Sequence, residues 1–183
     1  MSSVSKHSSA VPASPRPNPT ASNAEVSTST PGGAHRFPFR VRYADTDRMG
    51  FAYYAHFLRW FEVGRAELIR SLGMSYREIE EAGVSLPVLA AHCHYLRPGR
   101  YDDMLAVETA VLELGRASVR FGYRVVRIGE NAGLLAWGST EHCFMNGEGK
   151  PVRAPAAVAE VIGRAPRTTP AALRRPTVET GAD

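Results

Sequence analysis

The chain has 183 residues, enough for one domain with its own hydrophobic core, and its 44% hydrophobic and 22% charged content is that of an ordinary water-exposed globular protein. The formal charge of +4 is modest, and many of the arginines lie in the two tails and on alternating strand positions. Binding to a nucleic-acid backbone wants a concentrated basic face, so nucleic acid is not expected as a partner. No apolar run approaches the roughly 18 residues of a membrane span, and no membrane partner is expected. Cys93 and Cys143 lack CxxC spacing and are read as reduced core thiols of a cytoplasmic protein.

Residues 1–35 are rich in Ser, Ala, Pro and Thr and nearly free of large apolar side chains, so they are expected to be disordered. The ordered domain is expected over 36–163, with a second disordered tail over 164–183 where Pro, Thr, Ala and Arg return. Phe37, Phe39, Val41 and Tyr43 alternate with smaller or polar residues, the period of a half-buried strand. Asp45-Thr46-Asp47 ends that strand, and Gly50 supplies freedom for a sharp change of direction.

From about Tyr53 the period becomes helical. Phe57, Trp60, Phe61, Gly64, Leu68 and Leu72 share one face, Arg59, Glu62 and Arg70 lie away from it, and Gly73 is a natural stop. Glu62 and Arg65 are placed to form an ion pair along the helix. A short helix is expected around 76–82. Strands are expected over 84–96, 104–114, 117–126 and 134–145, with turns at Pro98-Gly99, 129–133 and Asn146-Gly147. One long helix against an antiparallel sheet of about five strands is an α+β arrangement.

The run Y43-A-D-T-D-R-M-G50, then Tyr54, Phe57, Phe61-Glu62 and Arg65, resembles the opening motif of the 4-hydroxybenzoyl-CoA thioesterase family. Tyr95-Leu96-Arg97-Pro98 and Arg100-Tyr101-Asp102-Asp103 fit it too, and the similarity covers roughly 37–160. The resemblance implies a hotdog fold, in which a curved antiparallel sheet wraps a central helix. It implies an acyl-CoA thioesterase acting on short-chain or aromatic acyl groups and assembled as a homodimer or homotetramer. It places the catalytic carboxylate at Asp47, as nucleophile or general base, and the carbonyl-polarising backbone N–H at Tyr54. Gly50 and His56 are expected next to the substrate. Arg116 is the one residue matching a basic cluster that holds coenzyme A phosphates in a relative. No metal or cofactor is implied, since coenzyme A is part of the substrate.

The residues alone leave alternatives open. Asp45 and Asp47 also suit turns and helix caps, and Asp45 is read as structural. Glu62 is an alternative carboxylate, and Asp102-Asp103 is read as a turn device. His92, His94 and His142 are more simply sheet or pocket residues than metal ligands. Hydrolysis of a thioester on an acyl carrier protein, or acyl-CoA binding without turnover, are the alternative functions.

Overall fold

The computed structural model describes residues 33–129 and 131–175, so the expectation for residues 1–32 lies outside the described residues. Five strands form one antiparallel sheet: β1 His35–Arg40, β2 Val88–Tyr95, β3 Met104–Leu114, β4 Ser118–Arg127 and β5 Gly133–Cys143. Their spatial order is β1-β3-β4-β5-β2, so β1 and β2 are the edges. The long helix α1 (His56–Ser71) lies on one face of this sheet, touching β3, β1 and β4, and the short helix α2 (Tyr76–Glu81) follows it. This is the α+β hotdog arrangement expected from the sequence. No helix among the described residues is long and apolar enough to cross a membrane.

The helical stripe is what fixes α1 to the sheet. Phe57, Trp60, Phe61, Gly64, Leu68 and Ile69 are all buried. Phe61 stacks on Tyr123 of β4 with centroids 4.4 Å apart, and Trp60 meets Phe39 of β1 at 4.9 Å. Gly64 allows the closest approach. A Cβ there would sit 2.5 Å from Thr109 Oγ1 and 2.9 Å from Val107 Cγ1, both on β3. Gly64→Ala gains about 1 kcal/mol of helix propensity but must push the helix off the strand. A net destabilisation of about 1–2 kcal/mol is expected from such overpacking, read as a lower denaturation midpoint with unchanged slope. A midpoint at or above wild type would show that the helix shifts freely.

Three boundaries differ from the sequence reading. The first strand stops at Arg40, because Tyr43–Asp45 forms a 3-10 turn. The Asp45 carboxylate closes that turn by accepting the Arg42 N–H at 3.0 Å. The helix begins at His56 rather than Tyr53, since Tyr53 and Tyr54 use their carbonyls in the turn leading into it. The chain from Arg164 to Arg175, expected to be a disordered tail, packs instead; the rest of that tail lies outside the described residues. Arg167 bridges to Val111, and α4 (Pro170–Leu173) buries Leu173 in the space left by the missing side chain of Gly122. The sequence reading also missed α3 (Ala156–Gly163), whose Val158 and Ile162 join the main core.

Candidate active site

The loop between β1 and α1 is clamped before it reaches the helix. Ala52 donates to Gly99 O at 2.8 Å, Thr46 bridges to Ala52, and Val41 donates to Asp103 O at 3.0 Å. Asp102 and Asp103 act here as a turn device. Asp102 adopts a left-handed φ of 69°, and the Asp103 carboxylate accepts the Arg100 N–H at 2.8 Å and pairs with Arg127. The loop is thereby tied to the end of β2 and the start of β3.

Between the loop, the start of α1 and the end of β2 lies a cleft of ≈ 310 Å³, with Asp47, Phe51, Tyr54, Phe57, Tyr95 and Arg97 among its walls. The four aromatic rings make it largely apolar. Phe57 and Tyr95 meet edge to face at 5.2 Å, and Tyr54 and Tyr95 do so at 6.5 Å. The Tyr95 hydroxyl donates to Tyr54 O at 3.1 Å, pinning the backbone just ahead of the helix. Burial, assisted by Cys93 and Tyr54, pushes the Tyr95 phenol up to about 12, so it remains a donor at neutral pH.

The two aspartates are used differently. Asp45 is 3% exposed and bound by Arg42 through Nε at 3.1 Å and Nη2 at 2.8 Å. Those bonds hold its carboxyl below the usual carboxylate range against the opposing pull of burial, with a smaller contribution from His56. Asp45 is a structural residue of the turn. Asp47 is half-buried on the cleft, and its Oδ1 accepts from Met49 N at 2.8 Å and Phe51 N at 3.4 Å. Among the described residues no donor is bonded to its Oδ2. Asp47 is therefore not a helix cap, because the capping position is Ala55.

The start of α1 has no side-chain cap and no acid in its first turn. Among the described residues the N–H groups of Tyr54 and Ala55 have no backbone acceptor. Unpaired amides at a helix start carry partial positive charge and suit an oxygen that gains negative charge. An apolar cleft with one carboxylate and such amides can bind a carbonyl and polarise it.

The remaining expected residues fall in different places. Gly50 closes the Asp47 turn, donating to Asp47 O at 2.9 Å with φ 74°, a conformation that favours glycine. His56 is half-buried against Tyr53, with ring centroids 5.9 Å apart, and is not on the cleft wall. Arg116 sits in the β3–β4 turn, at the far end of β3 from the cleft. Eleven strand residues separate the two, on the order of 30 Å, so one copy of the chain does not bring Arg116 to this site. Tyr95, Phe51 and Arg97 were not singled out as site residues from the sequence. Tyr95 and Arg97 lay in the Tyr95-Leu96-Arg97-Pro98 run, which carried the signal without assigning a role.

The Glu62–Arg65 ion pair is not formed. Glu62 is exposed, and Arg65 turns inward to His142. His94 stacks on Trp137 at 3.9 Å, His92 is exposed and His142 is buried. Among the described residues no group of three His, Cys, Asp or Glu is placed to hold a metal.

Comparison with known proteins gives a consistent result. Acyl-CoA thioesterase YbgC of Haemophilus influenzae is 35% identical over 124 residues, covering 67% of this chain and 89% of that protein. The 1,4-dihydroxy-2-naphthoyl-CoA hydrolase of Synechococcus elongatus is 31% identical over 93 residues, covering 50% of this chain and 68% of its own. Among solved structures, a hypothetical protein of Aquifex aeolicus superposes with a TM-score of 0.64 at 33% identity, covering 69% of this chain and 98% of that one. The family model described as the thioesterase-like superfamily matches residues 41–162, from the end of β1 through α3. That span holds the aspartate loop, the whole of α1 and the entire cleft, and the chain belongs to the thioesterase-like superfamily.

Proposed function

We propose that the protein hydrolyses acyl-CoA thioesters to free acid and coenzyme A. The observation that carries this reading is the shared cleft, which places the Asp47 carboxylate and the uncapped start of α1 around one apolar space. The names of the Haemophilus and Synechococcus relatives support it. In this reading the acyl carbonyl oxygen accepts the Tyr54 N–H, and negative charge developing there is stabilised by the helix start. Asp47 then acts by one of two routes. Its free Oδ2 attacks the carbonyl carbon, the C–S bond breaks with the thiolate leaving, and water hydrolyses the resulting anhydride. Alternatively Asp47 takes a proton from water, whose oxygen attacks instead, and the proton ends on the departing sulfur.

Four aromatic rings on the walls suit a flat aromatic or short acyl group, and 1,4-dihydroxy-2-naphthoyl-CoA in the Synechococcus relative's name is of that kind. Arg116 would meet coenzyme A phosphates only from a second copy. The edge strand β2, with Val88 and Leu89 more than half exposed, offers an unpaired edge for such a copy.

The test is thiol release from a panel of aromatic and straight-chain acyl-CoAs. Equal amounts of acid and free thiol are expected, fastest with aromatic or short acyl groups. Absence of release from every member would overturn the assignment.

A further inference from the structure

The amide of Tyr54 can polarise a carbonyl only if the backbone on either side of it is held still. Each peptide unit is planar, so a bond to its oxygen also fixes the direction of its N–H. The unit that carries the Tyr54 N–H is held at Tyr53 O by His56 N at 2.9 Å. Tyr53 N in turn donates to Asp45 O at 2.9 Å. The next unit is held at Tyr54 O by two donors, Phe57 N at 3.3 Å and the Tyr95 hydroxyl at 3.1 Å. The Phe57 bond belongs to the first turn of α1 and moves with it. The Tyr95 bond comes from β2, and among the described residues it is the hydrogen bond that ties Tyr54 itself to the sheet.

Tyr95 is well placed to act as that anchor. Its backbone pairs with Ala136 of β5, which is fully buried. Its ring meets Phe57 at 5.2 Å and Tyr54 at 6.5 Å, both edge to face, so few rotamers are open to it. A phenylalanine would supply the same wall to the cleft, so the aromatic lining alone does not call for the hydroxyl. The uncapped start of α1 does. An ordinary cap would fasten the helix by accepting from its first N–H groups, and a substrate oxygen would then have to compete with the cap. Tyr95 fastens the same turn from the carbonyl side and leaves the Tyr54 N–H free, on a residue of the cleft wall.

We propose that Tyr95 is a positioning residue of the hydrolase, whose hydroxyl holds the Tyr54 carbonyl so that the Tyr54 N–H stays aimed at the acyl oxygen as negative charge develops there. This rests on the thioesterase reading of the cleft. Small errors of placement at such a donor are felt in the transition state more than in substrate binding. The phenol is held protonated far above neutral pH, so the bond persists wherever the enzyme is expected to work. The bond lies within one chain and is present whether or not a second copy pairs with the β2 edge.

The experiment compares wild type with Tyr95→Phe on benzoyl-CoA and butyryl-CoA. Tyr95→Phe keeps the ring and loses the donor, so kcat is expected to fall about three- to tenfold, the scale of one neutral hydrogen bond. KM is expected to stay within about twofold, because the wall is unchanged. A second readout is the infrared carbonyl stretch of carbon-13-labelled benzoyl-CoA bound to Asp47→Asn, with and without Tyr95→Phe. Polarisation by the amide lowers the stretch relative to the free thioester, and adding Tyr95→Phe is expected to move it back toward the free value. An unchanged kcat, a change confined to KM, or the same stretch in both variants overturns the proposal and leaves the hydrolase reading intact. A wild type that cleaves neither thioester removes the hydrolase reading, and the positioning role falls with it.

Discussion

Asp47→Asn is expected to lower kcat for acyl-CoA hydrolysis by about a hundredfold or more, the loss typical of a principal acid–base or nucleophilic group. The substitution changes little else. An asparagine side-chain oxygen can still accept the Met49 N–H that Asp47 Oδ1 accepts at 2.8 Å, so the turn leading to Gly50 is kept. Stability should therefore stay within about 0.5 kcal/mol of wild type, as for most changes away from the core. KM should move less than kcat, because the aromatic walls and the Tyr54 amide remain. Asp45→Asn is the contrasting control. It removes the charge held by Arg42 at 2.8 Å, and its damage should appear in stability before it appears in kcat. The measurement is thiol release alongside thermal melts of both variants. Undiminished kcat in Asp47→Asn would remove both routes. Single turnover in heavy-oxygen water separates the routes themselves, since only the anhydride path leaves label in the Asp47 carboxylate.

How much of this was legible in the sequence depends on the range of the interaction involved. The apolar stripe of α1 is a local pattern that a single face must satisfy, and the structure buries Phe57, Trp60, Phe61, Gly64 and Leu68 along it, whereas the alternation read through Tyr43 breaks off at Arg40 where the 3-10 turn begins. Asp47 and Tyr54 are seven residues apart across a glycine turn, so their meeting on one cleft was within reach of a short-range argument. Arg116 was not, because the strand between it and the cleft puts it at the opposite end of the sheet. Arg65 was read by helix spacing as the partner of Glu62, yet burial against β5 gave it His142, seventy-seven residues away. Spacing along a helix names possible neighbours, whereas the sheet decides which of them a side chain meets. The same limit hid the C-terminal segment. Its composition is that of a solvated tail, but Leu173 fills the space over Gly122, a fit that composition does not reveal.

The His142 pair also sets an acid limit on the fold. An unfolded histidine titrates near 6.5, whereas the folded His142 is held down to about 4 by burial and by the Arg65 charge. Between those values the unfolded chain binds a proton that the native chain refuses. Stability from this group is therefore complete above about pH 6.5 and declines as pH falls toward 4, by about 3 kcal/mol in all. His35, held down chiefly by burial, adds a smaller loss of the same sign. Glu108 opposes it: burial raises its carboxyl despite the opposing charges of Arg124 and Arg36, so its contribution weakens as pH rises rather than as it falls. Asp45 acts lower still, below the ordinary carboxylate range, and does not share the window. Urea midpoints measured from pH 7.5 down to 4.5 should thus fall steeply in wild type. In His142→Gln, where a side-chain oxygen can accept from Arg65 without titrating, most of that slope should vanish. An equal slope in the variant would place the acid sensitivity elsewhere. A flat slope would tie it to the buried Arg65–His142 pair, because an imidazolium at 2.6 Å from a buried guanidinium has no counter-charge to offset it.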